Sequence, residues 1–149
     1  MRTLAALITV ALLAPAALAD DRATTMDAER LVHKAVEFVK SAGKEKALAA
    51  FSDPDGPFTY RDLYIFALDV NGVMGAHGRR KELIGKDQLQ KKDAEGKYYT
   101  REQLELARTK GSGWNEYLFE NPATGKVERK VAYVEKVDDL VIGCGAFKP

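Results

Sequence analysis

The chain has 149 residues, of which 46% are hydrophobic and 30% are charged, and its formal net charge is +1. This length fits one domain with an apolar core, and a nearly neutral surface argues against nucleic acid or anionic lipid as the main partner. Cys144 is the single cysteine, so a disulfide within the chain is impossible. We expect Cys144 to be a small buried residue rather than a reactive thiol.

The first 19 residues have the pattern of a signal peptide. Arg2 precedes an apolar run over residues 4–13, and residues 17–19 (Ala-Leu-Ala) match a small-x-small cleavage site. The run is shorter than the roughly 20 residues that a membrane-spanning helix needs. We therefore expect residues 1–19 to be removed, which leaves residues 20–149 as one periplasmic or secreted domain without stable membrane insertion.

Residues 24–51 carry apolar side chains at helical spacing, which predicts an amphipathic helix whose apolar face meets a core. Gly43 divides this segment into a long first helix and a shorter second one. His33 has no second histidine or cysteine at ligand spacing, so we do not expect it to bind a metal. The sequence Asp-Pro-Asp-Gly-Pro at residues 53–57 ends the helical segment.

Residues 63–69 have the composition of a strand, and Asn71-Gly72 predicts a hairpin turn into a returning strand over residues 73–77. Residues 78–96 show no periodicity and predict a long loop, with a turn of helix near residues 81–84. Such loops are usually functional or mobile.

A further helix is predicted after this loop. Thr100 and Gln103 have the spacing of a capping box, and Gly111 is placed to end the helix.

The C-terminal part predicts three strands, over residues 113–119, 127–137 and 141–145. Short turns join them, so neighbouring strands pair antiparallel, and the fold class is α+β. Most strands are apolar in both alternating phases, which indicates a sheet covered on both faces. The long N-terminal helix covers one face, and the long loop with the short helix covers the other. A cavity under that second cover is the expected ligand site.

Several ordered segments resemble the single Cache domain, second type, of bacterial extracytoplasmic sensors. The resemblance extends over nearly all of the predicted mature chain. It is carried by residues 69–77 (DVNGVMGAH), 83–86 (LIGK), 110–117 (KGSGWNEY), 121–122 (NP), Lys130, 133–134 (YV) and 138–145 (DDLVIGCG).

The resemblance implies a PAS-like, five-stranded antiparallel sheet with a long N-terminal helix behind it. It also implies a pocket for small organic molecules, often short carboxylates, between the sheet and the long loop. Domains of this type usually lie between two membrane helices and pass a signal to an attached module. Here the chain ends at Pro149, so we expect it to act through a separate, membrane-bound signalling or transport partner.

A carboxylate that enters a half-apolar pocket needs a positive charge or several donors to replace its water shell. Lys130 is the first candidate, because it shares its strand phase with Ala132 and Val134. The alternative is a lysine at a strand edge that reaches into solvent. His77 is the second candidate, at the mouth of the long loop, and an ordinary surface histidine is its alternative.

The aromatic candidates for the ligand site are Trp114, Tyr117 and Tyr133, with Tyr98 and Tyr99 closing the pocket from the loop side. Strict alternation places Trp114 and Tyr117 on opposite faces, and it separates Lys130 and Tyr133 in the same way. Either a bulge intervenes, or one residue of each pair belongs to the other layer.

The sequence contains no Gly-x-Ser-x-Gly, His-Glu-x-x-His or Cys-x-x-Cys motif. We therefore expect no enzymatic activity, metal or cofactor. Two functions stay open. The first is a sensor-type module that binds a small organic acid of two to four carbons. The second is a structural or protein-interaction domain with a vestigial pocket, which predicts an exposed apolar patch for a partner.

Overall fold

A computed structural model describes residues 21–148, so the predicted signal peptide lies outside the described residues. Two helices come first, α1 (Thr25–Ala42) and α2 (Lys44–Phe51). Thr24 caps α1 in a reciprocal capping box with Asp27. Gly43 separates the two helices with a φ of 87°, a conformation that glycine adopts without steric cost. The predicted helix break is therefore confirmed.

The central element is a five-stranded sheet in the spatial order β4-β3-β7-β6-β5, and every neighbouring pair is antiparallel. A small separate hairpin, β1 with β2, precedes it. The strands are β1 (Thr59–Tyr60), β2 (Leu63–Tyr64), β3 (Phe66–Asp69), β4 (Met74–His77), β5 (Ser112–Glu120), β6 (Val127–Val137) and β7 (Leu140–Phe147).

The single strand predicted over residues 63–69 is divided at Ile65, and its first part pairs with β1 rather than with the main sheet. A bulge between Ala67 and Leu68 interrupts the register of β3 with β4. The predicted Asn71-Gly72 turn connects these two strands, and Gly72 has a φ of 84°.

Both faces of the sheet are covered, as the two apolar phases of the strands predicted. On one face α1 packs on β6 and β7, where Val32 and Val36 share an apolar cluster with Ile142 and Cys144. On the other face lie helix α3 (Tyr99–Lys110) and Leu83, which belongs to the 3₁₀ turn Lys81–Leu83. Every residue of β7 is buried, because β7 is central and contacts both layers.

The predicted capping box at Thr100 and Gln103 is wrong. Helix α3 begins at Tyr99, and its N-cap Tyr98 makes no side-chain capping bond. Thr100 and Gln103 are 2% and 1% exposed, so both side chains are directed into the protein instead of back to the helix end. Gly111 ends α3 in the left-handed conformation, as predicted. No helix between residues 21 and 148 is long and apolar enough to cross a membrane.

Candidate functional site

A fully buried lysine lies on the α3 side of the sheet. Lys130, on β6, is 1% exposed, and its Nζ lies 2.9 Å from the Tyr64 hydroxyl oxygen. The Lys130 stem passes over Gly145, where an added Cβ would lie 2.3 Å from the lysine Cε. Nζ also lies between 4.4 and 5.4 Å from the centroids of four aromatic rings, namely Tyr64, Phe66, Phe119 and Phe147.

The charge of Lys130 has no anionic partner within residues 21–148, because no carboxylate there lies within ion-pairing distance of its Nζ. Burial lowers the pKa of Lys130 to about 8, since removal from water penalises the ammonium form. Aromatic ring faces offset part of that penalty. A buried ammonium without a counter-ion is rare in proteins, so this position favours an anion.

His77 lies beside Lys130 and is neutral. It is 2% exposed, and its Nδ1 accepts backbone N–H bonds from Arg79 and Arg80 at 3.2 and 2.9 Å. Those bonds place the ring proton on Nε2. Burial, with the field of the Lys130 ammonium, lowers the pKa of His77 to about 3. His77 therefore offers one neutral N–H donor, and its ring centroid lies 4.8 Å from that of Tyr64.

These groups line a small cavity between the sheet, α3 and Leu83. Its volume is about 20 Å³, which is room for about one water molecule. The apolar lining is supplied by Phe66, Leu68, Met74, Leu83 and Phe119, and the polar lining by Lys130, His77, Tyr99, Thr100, Gln103 and Tyr117. Most of the cover therefore comes from α3, and Leu83 is the contribution of the long loop.

Helix α3 is held against β5 by a set of buried contacts. The Tyr99 and Tyr117 rings stack with centroids 4.5 Å apart and an angle of 6°. Gln103 Nε2 donates to Asn115 Oδ1 at 3.2 Å, and Asn115 Nδ2 donates to the Tyr99 carbonyl at 3.2 Å. Burial raises the pKa of the Tyr99 and Tyr117 hydroxyls, so both stay protonated.

The structure brings together four of the predicted site residues, Lys130, His77, Tyr99 and Tyr117, and separates the other three from them. Trp114 and Tyr133 lie on the α1 face, with ring centroids 5.1 Å apart. Strands β5 and β6 pair without a bulge. Trp114 therefore lies on the opposite face from Tyr117, and Tyr133 lies on the opposite face from Lys130. The predicted grouping of Trp114 and Tyr133 with Lys130 is therefore corrected.

Tyr98 does not line the cavity either. The Arg101 guanidinium lies 3.9 Å from its ring centroid, on the outer side of α3, and the next residue, Tyr99, takes the inward position. Sequence reasoning missed Tyr64, Thr100 and Gln103 as lining or contact groups. For Thr100 and Gln103 the helical period was such a signal, since both residues share one face of α3 with Ala107, which is 2% exposed.

A larger groove of about 270 Å³ lies between α3 and the turn after β3, with Val70 and Leu104 in its lining. Its Arg108 is already paired with Glu105 at 2.7 Å. The chemistry therefore favours the smaller cavity, which holds the unpaired buried cation. Residues 21–148 contain no group of three His, Cys, Asp or Glu side chains that could hold a metal ion.

The fold is shared with solved sensor domains. The chain is similar to a methyl-accepting chemotaxis protein from Vibrio parahaemolyticus, with 20% identity, a TM-score of 0.71, and coverage of 82% of this chain and 86% of the other. A Cache chemosensory domain described for its carboxylic acid recognition has 21% identity, a TM-score of 0.71, and coverage of 84% and 93%.

The periplasmic sensor domain of a chemotaxis protein has 22% identity, a TM-score of 0.67, and coverage of 83% and 90%. No curated protein sequence matches this chain significantly. The family model of the single Cache domain 2 matches residues 17–148, which is most of the sequence and includes every element of the sheet. This chain therefore belongs to the single Cache domain 2 family.

Proposed function

We propose that this chain is an extracytoplasmic sensor-type domain that binds a short organic acid of two to four carbons. It acts through a separate membrane-bound signalling or transport partner, after export and removal of residues 1–19. One observation carries the proposal: Lys130 is 1% exposed and has no carboxylate partner within residues 21–148. A ligand carboxylate would supply the missing negative charge.

The carboxylate would lie against the Lys130 ammonium, with the Tyr64 hydroxyl and the His77 Nε2–H as neutral donors. Charge-assisted hydrogen bonds of this kind are about twice as strong as neutral ones. Binding without chemical conversion fits the site, because a histidine whose pKa is about 3 is a weak base at neutral pH. The carboxylic acid recognition described for one structural neighbour supports the same ligand class.

A cavity of about 20 Å³ is too small for an acid of three carbons, so ligand entry must move its wall. Met74 and Leu83 are the adaptable part of that wall, since methionine is flexible and Leu83 lies on a short 3₁₀ turn at the surface of the domain. Displacement of this turn would change the outer surface of the domain. Such a change is what a partner protein could detect.

The test is the replacement of Lys130 with methionine, with calorimetric titration of acetate, propionate, pyruvate and lactate. We expect affinity to fall at least about tenfold, because a hydrogen bond to a charged group contributes roughly 1.5 to 3 kcal/mol. Lys126→Met is the matched control, since Lys126 is exposed on the turn between β5 and β6, and it should bind like the wild type. Equal affinity in Lys130→Met and the wild type would place the anion elsewhere.

The second candidate is an interaction domain with a vestigial pocket, and the small volume of the cavity favours it. On that hypothesis a wide panel of metabolites would leave the melting curve unchanged. A bound ligand at about 100 times its dissociation constant would instead stabilise the fold by about 2.7 kcal/mol. The panel therefore separates the two candidates.

A further inference from the structure

The groove between α3 and the turn after β3 is lined by residues other than those of the Lys130 cavity. Leu104 and Ala107 of α3 and Val141 of β7 belong to its apolar lining. Ala107 and Val141 are 2% and 3% exposed, so the groove reaches the packed interior. Its volume of about 270 Å³ is below the roughly 300 to 1,000 Å³ of pockets that enclose a whole small molecule. The groove therefore suits one or two side chains of a larger partner.

The rim of this groove contains an exposed valine that the turn does not require. Val70 is 55% exposed, in the turn between β3 and β4. Asp69 Oδ1 holds this turn by accepting the backbone N–H groups of Asn71 and Val73 at 2.8 and 2.9 Å. The Val70 side chain makes no part of these bonds, and turns favour polar residues and glycine. An apolar groove with an exposed apolar rim is the kind of surface that other proteins bind.

A second wall of the groove is fixed by local contacts. Leu89 packs over Gly72, where an added Cβ would lie 2.6 Å from the leucine Cγ. The Leu89 backbone N–H donates to Asp87 Oδ1 at 2.7 Å, and its carbonyl accepts from Arg101 Nε at 2.8 Å. The groove is therefore formed before a partner binds, and association loses little conformational entropy on this side.

The charged side chains around the groove are mostly cations. Arg101, Arg108 and Lys136 line it together with one carboxylate, that of Glu105, so the lining has a formal charge of +2. Glu105 is paired with Arg108. Within residues 21–148, neither Arg101 nor Lys136 has a carboxylate at ion-pairing distance. A partner with acidic groups beside an apolar side chain would complement both the charge and the apolar lining.

The groove and the Lys130 cavity are connected by packing. Leu104 and Ala107 of the groove belong to one apolar cluster with Leu68 and Met74 of the cavity. Because packed side chains transmit displacement, a movement of α3 would change the shape of both. A partner in the groove would therefore contact the helix that covers the cavity.

We propose that this groove is the docking surface for the separate partner of the domain, and that the partner contributes a segment with large apolar side chains between acidic residues. The apolar side chains would lie between Val70 and Leu104, and the carboxylates would meet Arg101 and Lys136. This inference rests on the proposed function only for the existence of a partner, which both candidate functions include. It does not require a carboxylate at Lys130.

The experiment is an NMR titration of the ¹⁵N-labelled mature chain with synthetic peptides whose ends are blocked. The probe is Asp-Glu-Leu-Phe-Glu-Asp; a second peptide has lysine at every acidic position, and a third has serine at both apolar positions. Val70→Ser and Lys136→Glu are the test variants. Their matched controls are Val127→Ser, at a position 61% exposed at the start of β6, and Lys126→Glu in the turn before it. Melting curves establish that each variant is folded.

We expect the acidic peptide to shift the amide signals of residues 69–72 and 101–108, with a dissociation constant below about 1 mM. Binding should weaken at about 0.5 M salt, where charges are screened. The lysine and serine peptides should bind at least about tenfold more weakly than the acidic one. Val70→Ser and Lys136→Glu should each weaken binding of the acidic peptide at least about fivefold, and both controls should bind like the wild type.

The inference is overturned if the acidic peptide leaves these signals unchanged, if the lysine peptide binds the groove equally well, or if both test variants keep wild-type affinity. Each of these results would leave the carboxylate site intact. Lys130→Met should bind the acidic peptide like the wild type, because Lys130 does not line the groove. If the peptide binds the folded chain but no organic acid does, the carboxylate proposal fails and the docking surface stands.

Discussion

Replacement of Lys130 with methionine should stabilise the ligand-free domain at neutral pH, although we expect it to weaken carboxylate binding. The wild-type fold buries an ammonium group whose pKa is lowered from 10.5 to about 8. That difference corresponds to about 3 kcal/mol of unfavourable free energy for the charged form. Methionine has a similar length and carries no charge, so the variant avoids this cost.

Part of this stabilisation is offset by the effect of the substitution on Tyr64. Its buried hydroxyl lies 2.9 Å from Lys130 Nζ and would lose this partner, at a cost of about 1 kcal/mol. The net stabilisation should therefore be about 1 to 2 kcal/mol at pH 7. For a domain of this size that raises the melting temperature by about 3 to 8 °C.

The pH dependence of the effect has a definite sign. Between pH 8 and 10.5 the unfolded chain binds the Lys130 proton while the folded chain has released it, so wild-type stability rises with pH in this window. The variant lacks this rise. Its gain in free energy of unfolding over the wild type should be complete below pH 8 and disappear above about pH 10.5.

The assay is thermal unfolding by circular dichroism at pH 7 and pH 10, in buffers without carboxylates. Lys126→Met serves again as the control and should change stability by less than about 0.5 kcal/mol. A lower melting temperature of Lys130→Met than of the wild type at pH 7 would refute the reasoning. It would mean that the four aromatic rings around Nζ compensate the buried charge.

Two further predictions concern the same lysine. Carboxylate affinity should fall about tenfold between pH 7 and pH 9, because a group with a pKa of about 8 changes from mostly protonated to mostly neutral over that range. Titration calorimetry measures this, and a flat profile would contradict it. Gly145→Ala should destabilise the fold by about 1 to 3 kcal/mol in urea unfolding, since its Cβ would lie 2.3 Å from Lys130 Cε. Wild-type stability of this variant would show that the lysine stem can move aside.

The architecture was largely predictable from local patterns. The helical spacing before Gly43, the Asn71-Gly72 turn and the short turns of the C-terminal meander all agree with the observed elements. Each of these features depends on backbone preferences and side-chain periodicity over a few residues, which adjacent sequence determines. The apolar character of both strand phases likewise predicted two covering layers.

The composition of the site was less predictable, because it depends on which groups meet across the fold. Thr100 and Gln103 have the spacing of a capping box and also that of one helix face, and only the packing of α3 on β5 selects the second. Tyr98 and Tyr99 are adjacent, and the rotation of the same helix decides which of them faces inward. Trp114 and Tyr133 were grouped with Lys130 although their strand phase is opposite.

The sequence by itself determined the order of the elements, the alternation that separates Trp114 from Tyr117 and Lys130 from Tyr133, and the lysine as the cationic candidate. Those properties are local, since they follow from residue type and a period of two. Only the tertiary structure decided that the Tyr64 hydroxyl meets Lys130 across 66 positions of sequence, and that α3 closes the cavity with neutral polar groups. Burial and the loss of water, which set the charge state of Lys130, arise only when distant segments pack together.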